Sequence, residues 1–201
     1  QAVPEVGELP AAPWSHGRRT LEGVEVVVAR RELMGAPALT MYVPSESTEV
    51  ISARLARSGV QAADPEALER LRVLAGIPRF GVDFTTEHFP QETGLEAAAV
   101  SYTKGCYLGQ EVVARIHYRG GVQRSLRGLR LASAVAWGSL VLAEGREAGR
   151  VGSVIADPRG TGWLALAILH KRAWAPTAAG SVVVETAEGP IAAQVVDLPF
   201  V

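Results

Sequence analysis

The stretch Ser101-Tyr-Thr-Lys-Gly-Cys-Tyr-Leu-Gly-Gln-Glu-Val-Val-Ala-Arg-Ile-His-Tyr-Arg-Gly-Gly121 divides the chain into two textures. Within it Leu108, Val112, Val113 and Ile116 recur at helical spacing, which predicts a helix over about residues 109–117 with one apolar side. Ahead of it, helix and strand signals alternate. Beyond Gly121 no good amphipathic helix remains, and six short β-rich runs follow at residues 125–131, 139–143, 148–155, 162–170, 181–186 and 191–197. Turn residues separate them, among them Glu144-Gly145, Asp157-Pro158-Arg159-Gly160 and Glu188-Gly189-Pro190. Six short strands joined by such turns predict a small barrel or sandwich. The fold class is therefore α+β, with a boundary near residues 120–125.

Working outward towards the N-terminus, residues 21–30 and 38–43 read as β-branched strands, with Met34-Gly35-Ala36-Pro37 as the turn between them. Ser45 or Ser47 is positioned to cap a helix reaching Ser58, and Gly59 is its stop. Asp64-Pro65 is an N-cap followed by proline at the first helical position, and Gly76 with Pro78 ends that second helix. Residues 80–94 read as a polar, turn-rich loop, and 96–102 as a short strand entering the cysteine stretch. The proline-rich residues 1–13 read as a linker or loop, with no secretory signal, as in a fragment or trimmed product.

Composition narrows the function classes. The 201 residues are 48% hydrophobic and 20% charged, with a net charge of −1. That balance is enough for a sizeable core and gives no basis for bulk electrostatic attraction to nucleic acid or an anionic membrane. No apolar run reaches membrane-span length. One cysteine excludes an internal disulfide framework, as in a cytoplasmic protein, and an autonomous four-cysteine metal centre. His16, His88, His117 and His170 are scattered without metal-ligand or triad spacing, and Trp14, Trp137, Trp163 and Trp174 read as core or rim packing.

Chemistry concentrates in the quoted stretch. Cys106 precedes the expected helix start, where unpaired N–H groups and the positive end of the macrodipole favour a thiolate, and Lys104 adds to the effect. A lone cysteine is otherwise a small buried apolar residue. Glu111 falls in the first helical turn, with Arg115 four residues on at pairing distance. Gln110, Gly105 and Gly109 can serve as helix-start and turn residues alone.

Lys104-Gly-Cys-Tyr-Leu-Gly-Gln-Glu-Val-Val-Ala-Arg115, followed by Tyr118-Arg-Gly120, resembles the signature of the YgfZ-type proteins. These are folate-binding relatives of the aminomethyltransferase (T-protein) of glycine cleavage, in the GcvT superfamily. Leu71-Arg-Val-Leu-Ala-Gly-Ile-Pro78, Phe80-Gly81 and Pro90-Gln-Glu-Thr-Gly-Leu95 are similar to the family's upstream segment. Gly149-Arg-Val-Gly-Ser-Val-Ile155, residues 180–184 and Leu198-Pro-Phe200 are similar to its C-terminal barrel. The T-protein usually carries an acidic residue and an aromatic in place of Cys106 and Tyr107, and lacks the Gln110-Glu111 pair, so the resemblance points to the YgfZ side.

The resemblance implies that residues 1–122 are the C-terminal part of a GcvT-like folate-binding α+β domain, whose members carry a further segment before Gln1. Residues 123–201 would form a small antiparallel β-barrel. It implies tetrahydrofolate or a folate derivative as cofactor, with Glu92 facing the pterin, Phe80 stacking on it and Arg72 near the glutamate tail or anchoring its own helix. Tyr107, Gln110, Glu111 and Arg115 would form the motif's rim. Cys106, with Lys104, would serve redox exchange, transient iron ligation or a mixed disulfide; no resident metal is implied. The implied function is a cytoplasmic accessory protein for iron–sulfur cluster assembly or repair, supporting iron–sulfur enzymes that include tRNA-modifying ones. Its partners would be folate and client or assembly proteins, without direct nucleic-acid or membrane binding. The alternative is a catalytic aminomethyltransferase of the T-protein type.

Overall fold

The computed structural model describes residues 12, 14–33, 36–160, 162–174 and 181–200, so the 1–13 linker (Ala12 aside), Met34-Gly35 of the expected turn and Gly180 lie outside the described residues. The chain divides into two compact units, residues 1–68 and 69–201. Helix α2, Pro65–Leu74, runs across the division.

The first unit is an antiparallel three-stranded meander of β1 His16–Leu21, β2 Val24–Leu33 and β3 Ala36–Tyr42, followed by α1 Thr48–Arg57. The strand expected over 21–30 is thus two strands. Leu21 pairs with Val24 across a two-residue turn at Glu22-Gly23, both with positive φ, the geometry that suits a tight hairpin. β1 escaped the sequence reading because its His-Gly-Arg-Arg-Thr-Leu run is mostly polar. Val26 and Val28 alternate inward from β2, and with Leu21 and Ile51 of α1 they form this unit's core. A 3-10 turn, Ser45–Ser47, leads into α1, and neither serine closes a side-chain cap bond, contrary to expectation.

The α2 start conforms to its signal. Asp64 Oδ1 accepts the Glu66 N–H at 2.9 Å, and Pro65 occupies the first helical position. Asp64→Ala is expected to weaken this turn by about 1 kcal/mol. The sign would be several-fold faster amide exchange at Glu66; unchanged exchange would contradict the cap.

In the second unit β4 Arg124–Leu131, β5 Leu140–Ala143, β6 Arg146–Ala156, β7 Trp163–His170, β8 Ser181–Val184 and β9 Ile191–Val196 close into a barrel in the order β4-β7-β6-β5-β8-β9. Every pairing is antiparallel. All six expected runs are strands of it. β7 explains the most apolar stretch of the sequence. Ala165, Ala167 and Leu169 join one core cluster with Leu129, Val141, Val151, Val182 and Val184. Leu164, Leu166 and Ile168, on the opposite face, join a second with Val73 of α2, Leu126, Ile155 and Phe200. A strand buried on both faces loses the polar alternation of a one-sided strand.

Between α2 and the barrel lie a loop with an isolated Phe80–Phe84 bridge, a 3-10 turn Pro90–Glu92, the single-turn α3 Glu96–Ala99 and α4 Gln110–Arg119. The strand expected over 96–102 is α3 instead. Its Glu-Ala-Ala-Ala run has high helix propensity, and only Val100 after it is extended. Compactness groups this segment with the barrel, while the first barrel strand begins at Arg124.

Candidate functional site

The helix after the cysteine begins where the sequence places it. Gly109 is its N-cap at φ 85°, in the left-handed region that glycine adopts without a Cβ penalty. The Gln110 N–H donates to Tyr107 O at 3.2 Å, and Gln110 Oε1 accepts the Tyr107 N–H at 3.3 Å, so Gln110 ties the loop to the helix start. The Lys104 ammonium lies 4.8 Å from the Tyr107 ring centroid, in cation–π contact. Cys106 is a free, exposed thiol three residues before the N-cap.

The apolar residues do not share one buried side. Leu108, in the turn before the helix, and Val112 stand exposed, while Val113 and Ile116 are half-buried. Residues one position apart on a helix are rotated by about 100°, so Val112 and Val113 face different ways. Glu111 and Arg115 are both exposed, and among the described residues no ion pair joins them.

Behind the loop is a cluster that the sequence reading passed over. Glu96 Oε1 accepts the Tyr102 hydroxyl at 2.6 Å and lies 2.7 Å from His117 Nδ1. Tyr102 stacks on His117, with centroids 3.9 Å apart and planes at 23°, and Tyr118 meets His117 edge-on at 4.8 Å. The Gln91 amide donates to Tyr102 Oη at 3.1 Å and to Val113 O at 2.8 Å. The other histidines behave as ordinary polar residues. His88 Nδ1 accepts the Thr85 N–H, and His170 Nδ1 accepts the Arg172 N–H.

Of the expected ligand residues upstream, Glu92 and Arg72 are engaged within the protein. Glu92 is buried, accepting from Arg124 Nε at 2.8 Å, Arg124 Nη2 at 3.1 Å and the Phe89 N–H at 3.0 Å. Arg72 donates to Asp83 at 2.9 Å, to Ser153 Oγ, to the Ile77 carbonyl and to both Glu69 oxygens. That leaves the anchoring role as the one its contacts show. Phe80 is exposed and meets Phe84 edge-on at 5.5 Å. The partners of Arg72, Glu92 and Phe80, namely Asp83, Arg124 and Phe84, all line one cleft.

A cleft of about 370 Å³ opens nearby, walled by Phe84, Trp137 and Ile168 and edged by Glu87, Arg124, Glu147 and Arg150. Trp137 is exposed on its rim, not part of the core, with its indole N–H donating to Val82 O at 2.9 Å.

No family model matches the chain. Among curated proteins it is 27% identical over 169 residues to the putative chloroplastic transferase At1g60990 of Arabidopsis thaliana, covering 84% of this chain and 39% of that protein. It is 44% identical over 57 residues to the tRNA-modifying protein YgfZ of Yersinia enterocolitica, covering 28% of this chain and 17% of that one. Among solved structures, the glycine cleavage system aminomethyltransferase T of Bartonella henselae superposes with a TM-score of 0.72 at 23% identity, over 88% of this chain and 50% of that one. The chain is similar to YgfZ-type proteins over part of its length. It has the GcvT-like mixed α and β fold with a closed six-stranded barrel, and it spans about half or less of the length of the proteins it matches.

Arg72's hydrogen bond, foremost, and the charges of Arg72 and Arg79 hold the Glu69 carboxyl below its ordinary range. Desolvation works against the Arg72 charge, yet Glu69 and Asp83 outweigh it and the guanidinium is held more firmly protonated. The Glu96 carboxyl is lowered by the Tyr102 hydroxyl first and by His117 next.

A carboxylate lowered on folding stabilises the fold fully above its unfolded value of about 4.5 and loses that contribution as pH falls through the lowered folded value. Glu69→Gln is therefore expected to lower stability at pH 7 and to flatten the acid limb of stability against pH below about 4.5. A variant limb parallel to the wild-type one in urea titrations across that range would contradict it.

Proposed function

We propose that the chain is part of a tetrahydrofolate-binding accessory protein of iron–sulfur cluster assembly or repair, cytoplasmic and supporting client enzymes that include tRNA-modifying ones. The observation that carries the reading is the exposed Cys106 loop, with its Lys-Gly-Cys-Tyr and Gly-Gln-Glu elements, in a chain similar to YgfZ-type proteins over part of its length. In this reading residues 1–122 are the C-terminal part of a larger folate-binding domain, and residues 123–201 are its barrel. No helix among the described residues is long and apolar enough to cross a membrane.

The residues present fit a folate at the cleft better than at the positions named from sequence. Phe84 and Trp137 offer faces for a pterin or benzoyl ring, and Glu87 and Glu147 offer carboxylates suited to paired N–H donors. Arg150 and Arg124 lie on the same rim for an anionic tail. Glu92 would act through Arg124, which it holds.

An exposed thiol on a short loop can form a mixed disulfide with a partner or ligate iron transiently, the cluster passing as cargo, since one thiolate cannot hold a cluster alone. Cys106→Ser is expected to leave folate affinity unchanged while the activity of an iron–sulfur client in cells falls. Equal client activity in the two strains would end the thiol's role. Calorimetric titration with tetrahydrofolate and 5-formyltetrahydrofolate, on this chain and on one extended at its N-terminus, tests the folate part. Absence of saturable heat from both would refute it.

A further inference from the structure

We propose that Glu96, Tyr102 and His117 are positioning residues for the Cys106 loop: one carboxylate oxygen clamps a tyrosine at the loop's entry to a histidine on the following helix. The proposal rests on the reading that the Cys106 loop is functional, and it deepens that reading by saying what holds the loop in place.

The loop between Val100 and Gln110 has no regular secondary structure, so its geometry depends on side chains at its two ends. The outgoing end is fixed locally by Gln110 and the Tyr107 backbone. The incoming end is Tyr102, and its phenol is held on three sides. Its hydroxyl donates to Glu96 Oε1, it accepts from the Gln91 amide, and its ring lies flat on His117. Hydrogen bonds fix the hydroxyl, and stacking fixes the ring plane. Together they leave Tyr102 little rotational freedom.

His117 is fixed in turn. A carboxylate oxygen only accepts, so the 2.7 Å contact requires the proton on Nδ1 and leaves Nε2 as the acceptor of the neutral ring. The same carboxylate therefore selects the tautomer of one ring and the rotamer of the other. The electrostatics agree: the Glu96 carboxyl is lowered by its bond to Tyr102 above all, and the phenol is raised, by desolvation first and by Glu96 next.

The clamp also reaches the barrel. Gln91, which bonds to both Tyr102 and Val113, is the neighbour of Glu92, and Glu92 is paired with Arg124 on β4. Tyr102, at the entry of the Cys106 loop, is thereby linked through Gln91, Glu92 and Arg124 and one peptide link to a barrel strand. Ordinary helix packing would need neither a shared carboxylate oxygen nor a defined tautomer.

Three measurements on the full chain test the clamp. Imidazole nitrogen correlation spectra at about pH 8 should show His117 as the Nδ1–H tautomer, and Glu96→Gln should change that population. Amide exchange over residues 103–109 should accelerate by about threefold or more in Glu96→Gln, Tyr102→Phe and His117→Ala, with protection of the barrel strands unchanged. His117→Asn, whose amide N–H takes the place of Nδ1–H, should recover most of the loop protection that His117→Ala loses.

Wild-type-like exchange over 103–109 in Glu96→Gln and Tyr102→Phe would overturn the clamp. So would an Nε2–H tautomer in the wild type, or equal loss of protection in loop and barrel. None of these readouts involves folate or a client enzyme. Failure of the proposed function in its own titrations is therefore distinguishable from failure of the clamp.

Discussion

Asp83→Ala is expected to destabilise the barrel unit by about 3–5 kcal/mol, the range for removing one partner of a buried ion pair. The Asp83 side chain has no exposed surface, while that of Arg72 keeps 14%. Oδ1 accepts the Ser153 N–H at 2.7 Å; Oδ2 accepts Arg72 at 2.9 Å, the Arg79 N–H at 2.7 Å and the Ser153 hydroxyl at 3.1 Å. Alanine would leave the Arg72 guanidinium short of one partner and the buried Ser153 N–H unsatisfied, and would remove the acceptor of the Arg79 N–H. The shift in midpoint temperature should be on the order of 10 °C. A loss below about 1 kcal/mol would show that water replaces the carboxylate.

Gly152 supplies an internal check. A Cβ there would overlap Asp83 Oδ1 and lie 3.1 Å from Asp83 Cα and 3.2 Å from the Leu166 carbonyl oxygen. Gly152→Ala should therefore be destabilising alone and less so on the Asp83→Ala background, where the tightest of its three close approaches is gone.

Asp83 also shows where the sequence stops being legible. The barrel could be read because its information is local: each strand is a short apolar or alternating run closed by a turn pair such as Glu144-Gly145. The start of α4 could be read for the same reason, since Gly109 and the residues after it carry both the cap and the periodicity. Elements whose local signal is weak were misread. β1 is mostly polar, and α3 is a single turn whose propensity was outvoted by the expectation of a strand entering the cysteine loop.

The site's supporting pairs had no local signature at all. Glu96 and His117 are 21 residues apart, Glu92 and Arg124 are 32 apart, and Asp83 and Ser153 are 70 apart. In each, one member looks like an ordinary surface polar residue until the fold brings its partner to it. Phe80, Glu92 and Arg72 enter as ligand residues through the family resemblance, which carries no information on what each side chain contacts in this chain. Two of the three are engaged within the protein.

The second large effect is expected at Arg124. Glu92 has a side chain only 5% exposed and Arg124 one that is 41% exposed, so the pair is asymmetric. Arg124→Gln would leave a buried carboxylate with the Phe89 N–H as its remaining strong donor, for a loss of about 2–4 kcal/mol, discounted because water can follow the vacated guanidinium. Glu92→Gln keeps the volume and lets the half-exposed guanidinium hydrate, so its loss should be smaller, about 1–2 kcal/mol.

The double variant should lose less than the sum of the single losses, with a coupling of about 1–3 kcal/mol, in chemical denaturation without any ligand. A residue kept for a ligand behaves otherwise. If Glu92 were free to face a pterin, Glu92→Gln would leave ligand-free stability unchanged and only ligand affinity would fall. Folate affinity measured on the same four proteins completes the cycle. Matched losses of affinity in both single variants would mean that Glu92 acts on the ligand through Arg124, because Arg124→Gln removes the guanidinium from the rim of the cleft and Glu92→Gln removes what holds it there. Loss of affinity in Glu92→Gln alone would return the carboxylate to the ligand and overturn the anchoring role.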